Sequence, residues 1–109
     1  MSKSIYIAGP MTGHPEFNYP AFFRAENILG LDGWTVHNPA RMDGIDTTGM
    51  KGNHSEVPEF CLKRAMRRNC EAICHSDAIY MLKGWEKSRG AMVEFQLAIY
   101  LGLELIYER

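Results

Sequence analysis

The sequence predicts an α/β domain: a small, doubly wound, three-layer arrangement around a parallel sheet of four to five strands. Three observations predict it. Short apolar runs, SIYIA, WTVHN, DAIYML and LELIYE, are spread along the whole chain. Stretches with helical periodicity separate them, and strands alternating with helices imply right-handed crossovers and a parallel sheet covered on both faces. Glycine, proline and polar residues gather just after the runs, in AGPMTG, HNPAR and LKGWEKSRG. Open sheets of this kind bind ligands outside the carboxyl ends of their strands. With 109 residues the chain forms one domain, residues 1–109, with a single packed core.

Each element follows in order. Ser4 to Ala8 is a buried strand, because its apolar run ends abruptly at Gly9-Pro10. The loop GPMTGHPEFN comes next. Asn18 and Pro20 then supply a helix start, and Ala21, Ala25, Ile28 and Leu29 recur at helical spacing up to Gly30. Trp34 to Asn38 is a second strand, closed by Pro39. Residues 40–57 have no apolar period and carry Gly44, Gly49 and Gly52; a loop this long is a functional lid or locally disordered. Ser55 and Pro58 announce another helix, striped by Leu62, Ala65, Met66, Cys70, Ile73 and Cys74, with Lys63, Arg64, Arg67 and Arg68 mostly on its other face. Asp77 to Leu82 is the third strand, Gly90 to Gly102 bounds the last helix, and Leu103 to Glu108 is the fourth strand.

Composition narrows the function classes. A formal charge of −1 and 46% hydrophobic residues fit an ordinary globular protein, with no general electrostatic reason to expect a nucleic-acid polymer or a membrane as partner. No run approaches a membrane span, and the N-terminus meets glycine and proline too early for a signal peptide, so a cytoplasmic protein is expected. Three cysteines, two of them four apart in a helix, suit reduced and mostly buried thiols. Cys61, Cys70, Cys74 and His75 lack the paired spacing of a zinc site, so no metal is expected.

The strongest local signal is GWEKSRGAMVEFQLA. Ser88 and Arg89 before Gly90 make a helix N-terminus suited to an anion. One turn further in stands Glu94, with small or apolar helical neighbours and no basic partner between Gly90 and Gly102. A carboxylate in apolar surroundings is costly unless it is hydrogen-bonded or used. The alternative is a glutamate at the solvated edge of the helix. A second apolar stripe, Val93, Leu97, Tyr100 and Leu101, points to burial against a partner subunit and so to a homo-oligomer.

IYIAGPMTG, FNYPAF, NPA and DAIYMLKGWEKSRGAMVEFQLAIYLG together resemble the nucleoside 2-deoxyribosyltransferase-like superfamily, and within it a short bacterial and phage branch of unknown function. The superfamily also holds the deoxynucleoside monophosphate N-glycosidases. The resemblance implies a Rossmann-like, flavodoxin-like fold, a homo-oligomer, a small nucleoside or nucleotide as ligand, and no cofactor or metal. It implies that Glu94 is the nucleophile, since Ser88, Gly90, Glu94 and Ala98 match the family pattern. Glu94 would attack the anomeric carbon of deoxyribose to form a covalent glycosyl-enzyme, as in retaining glycosidases. Tyr6 would orient it. Gly9 and Pro10 would lie against the sugar, with Met11 next in the substrate site, and Ser88, beside Arg89 and Gly90 at the helix start, would help hold a 5′-phosphate; by its place in the loop, beside Gly84, Trp85 would stack on the base. Asp77 matches a usually acidic position, and Asp43 with its glycine-rich loop would close over the ligand.

One position departs from the family. Where an aspartate of the preceding helix helps the base to leave, this chain has Asn69, which can hydrogen-bond but cannot deliver a proton. Glu71 and Asp77 are the nearby alternatives. Two functions are therefore expected to compete: N-glycosidic cleavage of 2′-deoxyribonucleosides or their 5′-monophosphates, and a non-catalytic protein that senses or sequesters a nucleotide.

Overall fold

A computed structural model describes residues 3–109. Eight regular elements run in the order β1 (Ser4–Ala8), α1 (Tyr19–Leu31), β2 (Thr35–His37), α2 (Pro39–Asp43), α3 (Leu62–Cys74), β3 (Ala78–Met81), α4 (Arg89–Leu101) and β4 (Glu104–Tyr107). The four strands form one parallel sheet in the order β2-β1-β3-β4. β1 and β3 are central, and β2 and β4 are the edges.

Strand alternation sorts β1 between two layers. Ile5 and Ile7 face one side, where they pack with Phe22, Ala25 and Leu29 of α1. Tyr6 and Ala8 face the other, with Ala72 and Ile73 of α3 and Ala98 of α4. Ile5, Tyr6, Ile7 and Ile79 are completely buried, and each such side chain contributes about 1.5–3 kcal/mol by leaving water. The register thus hands Tyr6, a residue with a polar tip, to the layer between α3 and α4.

Helix ends match their chemistry. The Ser88 side chain accepts a hydrogen bond from Ala91 N at the start of α4, and Gly102 closes that helix at φ +77°, a left-handed turn where glycine is unstrained. Asn38 likewise accepts from Ala40 N at the start of α2, with Pro39 in the first turn.

Three expectations change here. The segment 40–57 is not structureless. Its start is α2, which Asn38 caps and Pro39 opens, and the rest is tied down by carboxylates. Glu56 accepts the backbone N–H groups of Lys51, Gly52 and Asn53, and Glu16 accepts that of Gly49. Gly13 N donates to Gly52 O at 2.8 Å, so this loop and the one after β1 pack as one unit. Gly52 is at φ +93°, and a Cβ there would stand 2.3 Å from His14 O. Three successive residues, Glu16, Phe17 and Asn18, adopt left-handed backbone at φ 53° to 61°. Asn18 Nδ2 holds the turn by donating to Pro10 O at 2.9 Å.

Secondly, α3 begins at Leu62, while Ser55 belongs to a single 3₁₀ turn, His54–Glu56, with its own capping box on Asn53. Thirdly, the thiols are not mostly buried: Cys61 and Cys74 are exposed and Cys70 is half-buried. The face of α3 turned to the core carries Ala65, Ala72 and Ile73, leaving Leu62 and Cys74 outside. Among the described residues, no helix is long and apolar enough to cross a membrane.

Candidate active site

Glu94 lies in the second turn of α4 and is 6% exposed. Its carboxylate is held from the sheet and from the neighbouring helix. Tyr6 on β1 donates its hydroxyl to Oε2 at 2.9 Å, and Asn69 on α3 donates Nδ2 to the same oxygen at 3.2 Å. No side chain of the described residues donates to Oε1. Since no fully buried side-chain oxygen or nitrogen among them lacks a partner, Oε1 keeps a small contact with solvent. One oxygen is clamped and the other is not.

Burial dominates the ionisation of Glu94 and pushes its pKa up to about 7. The hydrogen bonds from Tyr6 and Asn69 and the charge of Arg68 pull back in the opposite direction, while Asp43 adds a smaller upward push. Tyr6 is raised well above the usual phenol range, first by burial and then by the charge of Glu94. It therefore remains a protonated donor at neutral pH, as the clamp requires.

Behind Asn69 the hydrogen bonding continues. Arg68 donates to Asn69 Oδ1 from Nη2 at 3.0 Å and from Nε at 3.3 Å. The same Nη2 donates to Asp43 Oδ1 at 2.6 Å, and Tyr19 donates its hydroxyl to Asp43 Oδ2 at 2.8 Å. An open cleft begins at this end, lined by Met11, Phe17, Tyr19, Asp43, Ile45 and Phe60 among others. A second groove shares Asp43, Ile45, Val57 and Phe60 with it and runs on to Arg64 and Arg68. Open space therefore adjoins the Asp43 and Arg68 end of the chain of polar contacts, while Glu94 at the other end lines neither cleft nor groove.

Among the residues singled out in the sequence, Glu94, Tyr6 and Asn69 come together. Met11 lines the cleft. Gly9 has a packing role: a Cβ there would stand 2.7 Å from Leu82 Cβ. Pro10 is buried, close to where Gly84 turns the chain at φ +88°. Ser88 caps α4, Arg89 opens it on the exposed side, and Gly90 sits half-buried beside Met66.

One placement differs from expectation, and one residue has packing partners that the sequence did not reveal. Asp77 lies at the amino end of β3, the far edge of the sheet from the strand ends, where its carboxylate accepts from Ser4 N at 2.8 Å. Strand polarity puts it there, because it precedes β3. Trp85 is stacked against Phe95, with ring centroids 4.4 Å apart, and against Tyr107. Its ring fills the corner between α4 and β4, where apolar contact outweighs exposure. Glu71, the other acid considered, is exposed.

Arg68 and Tyr19 are the residues that sequence reasoning missed. Arg68 had been placed on the solvated face of α3; helical periodicity does not reveal an inward carboxylate partner 25 positions away. Tyr19 carries a faint signal, a tyrosine in the FNYP stretch beside a loop. Asp43, expected over a ligand, lines both the cleft and the groove.

The sequence matches no curated protein. Among solved structures, the fold is similar to that of a 2-desoxiribosyltransferase from Leishmania mexicana, with a TM-score of 0.67 at 20% identity over 96% of this chain. The match covers 63% of that protein, so this chain spans less than two thirds of its length. The sheet order and the flanking helices are thus those of a Rossmann-like fold. The family profile described as a domain of unknown function, DUF4406, matches residues 3–107, and with nearly its whole length inside that match the chain belongs to the DUF4406 family.

Proposed function

We propose that this protein cleaves the N-glycosidic bond of 2′-deoxyribonucleosides or their 5′-monophosphates, with Glu94 as nucleophile. The observation that carries the reading is the asymmetric carboxylate: Oε2 is fixed by Tyr6 and Asn69, Oε1 is held by no side chain of the described residues, and α4 offers no basic residue after Arg89. Oε1 would attack the anomeric carbon as the bond to the base breaks, and the base would leave with the bonding electron pair. The charge left on Glu94 also stabilises the oxocarbenium-like transition state. Water, or a second base, would then attack the glycosyl ester at the same carbon and release Glu94 as a carboxylate. The fold shared with a deoxyribosyltransferase supports this chemistry.

Asn69 has no proton to give, Glu71 is exposed and Asp77 stands at the far end of the sheet. The departing base therefore takes its proton from solvent, and bases that leave readily are the better substrates. General acid catalysis typically contributes about 10²–10⁴-fold, so turnover is slow for poor leaving groups. The same missing acid favours a second reading, a protein that binds a nucleotide without chemistry. Its oligomer is part of the proposal: Val93 and Tyr100 of α4, 54% and 86% exposed, would be covered by a second copy, which light scattering would show as a dimer mass.

Incubation with deoxynucleosides and their monophosphates, followed by chromatography, tests the reading. Free base from the wild type that disappears in Glu94→Ala supports catalysis. Thermal stabilisation by a nucleotide without base release, in wild type and variant alike, supports the binder. Neither effect across the panel would remove both.

A further inference from the structure

We propose that Arg68 is a positioning residue for Glu94: its guanidinium fork turns the Asn69 amide so that the NH₂ group, and not the carbonyl, faces the glutamate.

An asparagine side chain presents two ends of nearly equal size, one a donor and one an acceptor. With the carbonyl toward Glu94, two acceptors would meet and the carboxylate would lose one of its two donors. Two hydrogen bonds from Arg68, through Nε and Nη2, occupy Oδ1 and exclude that arrangement. Arg68 is fixed in turn by Asp43, and Asp43 by Tyr19. The sequence of bonds has one sense, Tyr19 to Asp43, Arg68 to Asp43 and Asn69, then Asn69 and Tyr6 to Glu94. No member can reverse without placing acceptor on acceptor. A cation outside hydrogen-bond contact with Glu94 thus keeps the second donor on its held oxygen.

The charged and titratable groups facing Glu94 are Tyr6 from β1, Arg68 and Cys70 from α3, and Asp43 from α2. Arg68 is the cation among them, so it favours the carboxylate form directly as well as through Asn69. The two routes separate experimentally, because lysine keeps the charge but cannot make the fork.

The test is the titration of Glu94 itself, followed by carbon-13 NMR of its side-chain carboxyl and assigned by its loss in Glu94→Gln. In Arg68→Met the midpoint should rise by about one pH unit or more, the cost of losing a charge and a hydrogen bond. In Arg68→Lys it should rise by less, and in the Asn69→Ala background Arg68→Lys should change nothing further. Arg67→Met, at an exposed position of the same helix, should leave the midpoint in place. An unmoved midpoint in folded Arg68→Met, or an Arg68→Lys shift that persists unchanged without Asn69, would overturn the proposal. Only the activity arm rests on the proposed function: where base is released, the acidic limb of the rate profile should move with the NMR midpoint. A midpoint that moves as stated in a protein that releases no base supports the role of Arg68 and removes the catalytic reading.

Discussion

Replacing Glu94 by glutamine should make the protein more stable, and more so at pH 8 than at pH 5. In the folded chain the carboxylate titrates near 7, against an unfolded value of 4.5, because burial penalises its charge. The folded state therefore binds the proton more tightly than the unfolded one. The contribution of Glu94 to stability is greatest below pH 4.5, falls as pH rises through that interval, and stays low above 7. At about 1.4 kcal/mol for each pH unit between the two values, the ionised carboxylate costs the fold about 3 kcal/mol at pH 8 and about 1 kcal/mol at pH 5. Glutamine suits the site: its carbonyl can accept from Tyr6 and Asn69 where Oε2 does, and its NH₂ replaces Oε1, which no side chain of the described residues holds. For a domain of this size 1 kcal/mol moves Tm by about 4–8 °C. The variant should thus gain about 10 °C or more at pH 8 and only a few degrees at pH 5, read by circular dichroism melting. Equal shifts at the two pH values, or a loss of stability at pH 8, would refute the account of Glu94 as a costly buried charge. Stability gained by removing a strained functional group is the expected trade-off.

Other consequences follow from single contacts. Tyr6→Phe removes one of the two donors on Oε2, worth about 1.5–3 kcal/mol to a charged acceptor; the Glu94 midpoint, followed by NMR, should rise by about one to two pH units. Gly9→Ala forces a methyl group against Leu82, so it should destabilise the fold by about 1–3 kcal/mol in urea unfolding. A polar role at Gly9 would predict lost binding with unchanged stability instead. Ser88→Ala should cost about 1 kcal/mol through the lost cap of α4, and Ser88→Asp should restore it. If Ser88 also holds a phosphate, the aspartate variant will melt like the wild type yet bind a nucleoside in preference to its monophosphate.

The candidate site shows where sequence reading is strong. Glu94 was recognisable because a lone carboxylate in an apolar helix contradicts its surroundings, and such contradictions mark function. Tyr6 was accessible through the family pattern, and strand alternation explains why it faces α4 while Ile5 and Ile7 do not. Asp77 was misplaced because proximity in sequence to the strand carrying the site says nothing about which end of the strand is meant. For Trp85, an aromatic residue in a loop carries no record of the Phe95 and Tyr107 rings that pack against it.

What the sequence determined by itself is local and periodic: four strands, the three long helices, the start of the last one at Ser88, and a carboxylate out of keeping with its helix. These follow from the alternation of side chains along a strand, the helical repeat and the chemistry of helix ends, all properties of neighbours in the chain. Only the tertiary structure decided that Arg68 turns inward to Asp43, that Asn69 donates to Glu94, and that one carboxylate oxygen is held while the other is free. Those bonds join residues 25 or more positions apart and depend on how α2, α3 and α4 pack against β1, which no local pattern encodes.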